Sequence, residues 1–103
     1  MTKLEPAGYF LYFIECDNGS IYTGTSQDVH FRFKKHEAGT GSTWTKNNAP
    51  VRIIAVRTYP SRTEAYGQER KLKKYSRSKK VNWIMANCHY DVEALSILKE
   101  KDN

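Results

Sequence analysis

The chain has 103 residues, 39% of them hydrophobic and 13% aromatic, and a formal charge of +6 at pH 7. That length leaves little room for a second domain beside one compact core, and the aromatic content argues against disorder, because large rings bury much area per residue. No apolar run approaches the roughly 18 residues of a membrane span, the first residues lack the apolar stretch of a signal peptide, and the two cysteines, Cys16 and Cys88, lie too far apart to suggest a disulfide framework or a zinc ribbon. A single domain over residues 1–103 is expected, with its core at about residues 9–88 and a C-terminal tail at 89–103. It should be a soluble, cytoplasmic protein with reduced thiols, or a nuclear one in a eukaryote, away from membranes and monomeric.

In chain order, residues 9–16 (YFLYFIEC) and 20–25 (SIYTGT) are rich in aromatic and β-branched side chains around Asp17, Asn18 and Gly19, which predicts a β-hairpin. A two-residue Asn-Gly turn would put Tyr12 and Tyr22 on opposite faces of the ribbon. A three-residue Asp17-Asn18-Gly19 loop, closed by Gly19 in the left-handed region, sets Tyr12 opposite Gly24 and Tyr22 opposite Ile14, so that both phenols share one face. The missing side chain at Gly24 then leaves a gap beside Tyr12 where a substrate could approach. Two tyrosines that merely pack a sheet face explain the same residues if the pair is considered alone.

Asp28 offers an N-cap to a helix in which Val29, Phe33 and His36 recur at helical spacing, with Gly39 ending it. Residues 40–48 (TGSTWTKNN) predict a loop or a short helical turn, and residues 51–56 (VRIIAV) a third strand. Ser61 and Glu64 have capping-box spacing ahead of a charged helix expected over residues 62–75, and Ser76 could cap another helix reaching residue 88. A last amphipathic helix would occupy residues 91–100. The order ββαβαα with hairpin pairing predicts an α+β sandwich, a small three-stranded antiparallel sheet flanked by helices, within the broad α/β class.

Residues 62–80 hold eight basic side chains against two acids, a net charge equal to that of the whole chain. Arg70, Lys71, Lys73, Lys74, Arg77, Lys79 and Lys80 in that stretch are candidates for binding nucleic acid, because clustered cations attract phosphate backbones. A solvated helix face accounts for the same charge. On the first helix Arg32 and His36 are i, i+4 neighbours near the core-facing side, where an isolated arginine usually snorkels and an isolated histidine usually packs; the arginine fork also suits phosphate. Glu69 falls on the same side of its helix as Ala65 and Leu72, so one carboxylate faces inward and needs a cation. Either Arg32 supplies it as a salt bridge or Glu69 binds a divalent metal, since Mg²⁺ tolerates a single carboxylate when waters and phosphate complete its shell.

Taken together, FLY at residues 10–12, YTG at residues 22–24, Arg32 and Glu69 resemble the GIY-YIG nuclease superfamily. The second tyrosine follows the first by ten positions, and Arg32 follows Tyr22 by ten, as in that family. The strings CDNGSIYTGTSQD, HEAGTGSTWT and SRSKK are most similar to its small, stand-alone single-domain branch, and the resemblance spans roughly residues 9–83. Phe10 and Leu11 replace the Gly and Ile of the first motif, and Thr23 replaces the Ile of the second.

The resemblance implies one Mg²⁺ or Mn²⁺ on Glu69 and a water activated for in-line attack on phosphorus. Tyr12 is the implied general base or proton relay, Arg32 the stabiliser of phosphate charge, Tyr22 the orienting group and His36 a proton-transfer or supporting residue. The expected function is therefore a metal-dependent endonuclease acting on nucleic acid, DNA in the first instance, with a protein partner possible for targeting. A non-catalytic nucleic-acid-binding module with the same fold is the alternative. A zinc domain built on Cys16, Cys88, His36 and His89 lacks ligand spacing.

Overall fold

Strand β1 (Tyr9–Cys16) is apolar on both sides of its pleat, which suits the middle of a sheet and not its edge. In the computed structural model, which describes residues 9–40 and 48–101, β1 lies between β2 (Ile21–Ser26) and β3 (Pro50–Tyr59). A short strand β4 (His89–Tyr90) pairs beyond β3, and every pairing in the order β2-β1-β3-β4 is antiparallel. Among the described residues four helices accompany the sheet: α1 (Val29–Glu37), α2 (Arg62–Leu72), α3 (Arg77–Asn87) and α4 (Val92–Lys101). The α+β class and antiparallel pairing are those expected, but the sheet has four strands instead of three. Tyr90 and His89 pair with Ala55 and Val56, and a strand of two residues carries no periodicity that a sequence could reveal. The loop expected at residues 40–48 lies almost wholly outside the described residues.

Alternation along β1 sorts the core into two clusters. Leu11 and Phe13 pack with Ile21, Ile54, Leu72 of α2, Val81 and Ile84 of α3, and Leu95 and Leu98 of α4. Tyr12, Ile14 and Cys16 face the other way, against half-buried Tyr22, Val29 and Phe33. Helices α2, α3 and α4 thus contribute to one cluster and α1 to the other, each fully buried large side chain contributing roughly 1.5–3 kcal/mol. The packed core continues past residue 88, because Ala94, Leu95 and Leu98 are at most 2% exposed. Cys16 belongs to the second cluster and Cys88 packs against the first, so the four zinc candidates are not gathered at one point.

Local chemistry fixes the helix ends. Asp28 accepts from the Phe31 N–H at 3.0 Å, and Gly39, at φ +80, closes α1 by donating to the His36 carbonyl. Ser61 accepts from the Glu64 N–H and Ser76 from the Lys79 N–H, both at 3.2 Å. Helix α2 stops at Leu72, three residues short of expectation, and Tyr75 N–H bonds the Leu72 carbonyl in a tighter turn. That turn brings Ser76 into the extended conformation its capping role needs. No described helix is long and apolar enough to cross a membrane.

Candidate active site

The hairpin loop decides whether the two tyrosines can meet. Gly19 has φ +84, its N–H donates to the Cys16 carbonyl, and the Cys16 N–H donates to the Ser20 carbonyl, each at 2.9 Å. This is the three-residue loop, and it pairs Tyr12 with Gly24 and Ile14 with Tyr22. The phenol rings accordingly lie on one face, 6.4 Å apart between centroids. The gap at Gly24 is taken up in part by Tyr12, and Gly24 still lines the cavity beside it. A Cβ built on Gly24 would fall against the Tyr12 hydroxyl and 2.5 Å from its Cζ, so the glycine makes room for the Tyr12 ring itself.

Helix α1 presents His36 to that ring. The Tyr12 Oη lies 3.0 Å from His36 Nε2, and the His36 ring sits edge-on to Tyr22 at 4.8 Å. His36 is 2% exposed. Burial, with Arg32 and then Lys73 adding repulsion, pushes its pKa below the usual histidine value, so the imidazole is neutral at pH 7. Burial also pushes the Tyr12 phenol well above its ordinary range; Tyr22 and Glu69 add to the rise, and Arg32 opposes it without cancelling it. Tyr12 therefore rests as a phenol. With the imidazole proton on Nδ1, the phenol O–H donates to Nε2.

Arg32 differs from expectation: it is exposed, one turn before buried His36, and reaches the site from the rim. The cation on Glu69 is also a different one. Lys73 Nζ, from the residue that caps the C-terminus of α2, lies 3.2 Å from Oε2, and the Thr25 hydroxyl donates to Oε1 at 2.8 Å. Tyr12, Tyr22, Arg32, His36 and Glu69 all line one cavity of about 300 Å³, so the five candidates from β1, β2, α1 and α2 converge. Thr25, Tyr66 and Arg70 line it too. Thr25 and Tyr66 escaped the sequence reading. Tyr66 could have been found as the i−3 neighbour of Glu69 on its helix, whereas Thr25 depends on how β2 and α2 pack.

Among the described residues no group of three or more His, Cys, Asp or Glu side chains forms a metal cluster, so a metal in this cavity would rest on Glu69. The donor set fits a hard, hydrated cation. A carboxylate with 19% side-chain exposure opens on a polar cavity, and its partner Lys73 is 43% exposed, so that pair is weak and easily displaced.

The basic segment divides into two kinds of residue. Arg70, Lys71, Lys73, Lys74 and Lys79 are exposed. Arg77 is half-buried and ties the fold together, with Nε donating to the Gly19 carbonyl at 2.7 Å and Nη2 to the Leu98 carbonyl at 3.3 Å. Lys80 is buried at 8% exposure, and its Nζ donates to the Ile21 carbonyl.

A sequence model described as the GIY-YIG catalytic domain matches residues 8–82. A UPF0213 protein of Xanthomonas axonopodis pv. citri is 40% identical over 86 residues, which cover 84% of this chain and 82% of that protein. A UPF0213 protein of Staphylococcus aureus is 38% identical over 76 residues, covering 74% and 93% respectively. The solution NMR structure of a UPF0213 protein from Bacillus halodurans aligns with a TM-score of 0.50 at 38% identity, over 76% of this chain and 83% of that one.

Proposed function

The chain belongs to the GIY-YIG family, whose fold is of the nuclease type, and we propose that it is a metal-dependent endonuclease hydrolysing phosphodiester bonds in DNA. One observation carries the reading: Tyr12, Tyr22, Arg32, His36 and Glu69 line a single cavity, with the Tyr12 hydroxyl already bonded to a neutral imidazole. A packing role alone does not require a buried phenol and histidine to open on a cavity rimmed by an arginine and a carboxylate.

Glu69 would hold Mg²⁺ or Mn²⁺, which when bound supplies Lewis-acid stabilisation of phosphoryl charge. The proton path is this chain's own. As water attacks phosphorus, it passes a proton to Tyr12 Oη while the phenol proton moves to His36 Nε2, so Tyr12 works as a relay and His36 as the terminal base. A relay never accumulates the phenolate that burial disfavours. Arg32, and beside it Arg70, would hold the phosphate oxygens as negative charge builds, and Tyr22 would orient the attacking water or the phosphate. The new P–O bond forms as the opposite P–O bond breaks, and the leaving oxygen takes its proton from solvent. The exposed cations of α2 and Lys79 would track the backbone without reading bases, so weak sequence discrimination is expected of a monomer unless a protein partner targets it.

The Glu69–Lys73 pair favours a second reading, a binding module in which the carboxylate serves only structure. Incubation with labelled single-stranded, duplex and branched DNA and RNA, with Mg²⁺, Mn²⁺ or EDTA, separates the two. Cleavage of DNA that EDTA abolishes is expected; retention of every substrate uncut, with binding intact, would move the protein to the second reading.

A further inference from the structure

A second cavity, of about 250 Å³, adjoins the first. Tyr22 lines both, and Lys73, which lines the second, reaches Glu69 in the first and lies 5.0 Å from the centre of the Tyr22 ring. Among the described residues the polar side chains of the second cavity are one-sided: two ammonium groups, Lys73 and Lys80, with the hydroxyls of Thr23 and Tyr22 and no carboxylate.

Two of these groups are poorly served by the fold. Thr23 is 1% exposed, and its Oγ1 has no hydrogen-bond partner among the described residues. Lys80 has three N–H donors in a site 8% exposed, and among the described residues a neutral carbonyl of Ile21 at 3.2 Å answers one of them. A buried ammonium without a counter-charge is costly, and burial, with Lys73 repelling it, holds Lys80 down to about 8. Covering a carbonyl on the outer strand β2 explains one donor of Lys80. It leaves the Thr23 hydroxyl unexplained, since valine would fill that position without an orphaned polar atom.

A tetrahedral oxyanion answers both deficits, because it accepts from a hydroxyl and two ammonium groups and supplies the missing negative charge. We infer that this cavity takes a phosphate of the bound nucleic-acid strand next to the scissile one, held by Thr23, Lys73 and Lys80. The identity of the carrier rests on the nuclease reading above; the anion chemistry rests on the cavity alone. Successive phosphates would then lie to either side of the Tyr22 ring, which lines both cavities, with Lys73 of the second reaching Glu69 in the first.

The test is an NMR titration of the metal-free protein with inorganic phosphate, following Thr23 and the lysine side chains, in the parent, Thr23→Val and Lys80→Met. Saturable shifts at Thr23 and Lys80 are expected, with the Lys80 titration moved upward by phosphate. Thr23→Val should weaken phosphate binding about tenfold, the loss of a hydrogen bond to a charged group. Its melting temperature should hold or rise, because the substitution removes an unpartnered buried hydroxyl. With duplex DNA, Lys80→Met should flatten the slope of log affinity against log salt by about 0.9. Shifts confined to Arg32 and Arg70, or Thr23→Val binding phosphate like the parent, would overturn the inference and leave the cavity to water. The two readings fail separately. Phosphate bound at Thr23 and Lys80 in a protein that cuts nothing keeps the anion cavity and sinks the nuclease, whereas a nuclease whose KM is unchanged in both variants does the reverse.

Discussion

The Tyr12 phenol oxygen lies 3.0 Å from Nε2 of His36, so a residue of the central strand and one from the last turn of α1 share a buried hydrogen bond at the wall of the cavity. If that bond is the proton path, Tyr12→Phe keeps the ring over Gly24 and removes only the relay. Cleavage should fall roughly 10²- to 10⁴-fold while the fold loses only about 1 kcal/mol. Single-turnover rates and urea denaturation measured together check this; an active Tyr12→Phe protein would exclude the relay.

The pH dependence follows from His36. Its pKa in the fold lies below the unfolded value near 6.5, so the unfolded chain binds the extra proton first. Stability from keeping the ring neutral is present above about pH 6.5 and is lost as pH falls through the folded value. Among the described residues the facing groups include Tyr12 and Tyr22 from the sheet, Arg32 from α1 and Lys73 from the C-cap of α2, and both cations push the same way. The acid limb of the rate profile should therefore fall below pH 6.5 and vanish in His36→Asn. An acid limb above pH 6.5 would contradict the assignment of His36 as terminal base.

Glu69→Gln should lower metal-dependent cleavage by roughly 10³-fold, equivalent to several kcal/mol of lost charge stabilisation, while binding survives. Without metal, DNA affinity should rise slightly, since one repulsive charge is gone. Because the partner of Glu69 is exposed Lys73 and not a buried arginine, the melting temperature should change little, by the equivalent of at most about 1 kcal/mol. Loss of activity that merely tracks unfolding would defeat the metal-ligand role.

Gly24→Ala puts a methyl group against Cζ and the hydroxyl of Tyr12, so the ring must leave its position and shift into the cavity it lines. A destabilisation of about 1–3 kcal/mol, together with loss of cleavage as the phenol leaves His36, is expected from denaturation curves and rates. A fully active, fully stable variant would show that the ring position is not critical.

The basic residues should separate by assay. Lys71→Ala and Lys74→Ala should each weaken DNA binding across all sequences and flatten the salt dependence, with stability unchanged. Arg77→Ala should instead lower stability, because its guanidinium joins the hairpin loop at Gly19 to the end of α4 at Leu98. Equal effects of all three on binding alone would mean that Arg77 belongs to the binding face.

Sequence alone determined whatever is encoded within a few residues. The alternation of YFLYFIEC, the Asp17-Asn18-Gly19 loop with its register, and the caps at Asp28, Ser61 and Ser76 depend on local geometry, and local geometry is written in neighbouring residues. The register placed Tyr12 and Tyr22 on one face, and the spacing on two helices supplied Arg32, His36 and Glu69. Tertiary structure decided the rest, because each remaining choice is a competition between groups distant in sequence. Whether Glu69 meets Arg32 or Lys73 depends on how α1 and α2 approach β2, and Lys73 wins as the neighbour one turn away at the C-cap of α2. Part of the space at Gly24 went to a ring from the adjoining strand, and the rest opens on the cavity. Lys80 and Arg77 look like their basic neighbours in sequence, yet packing of α3 against the β1–β2 hairpin turns both inward onto backbone carbonyls, because those carbonyls need donors where water is excluded.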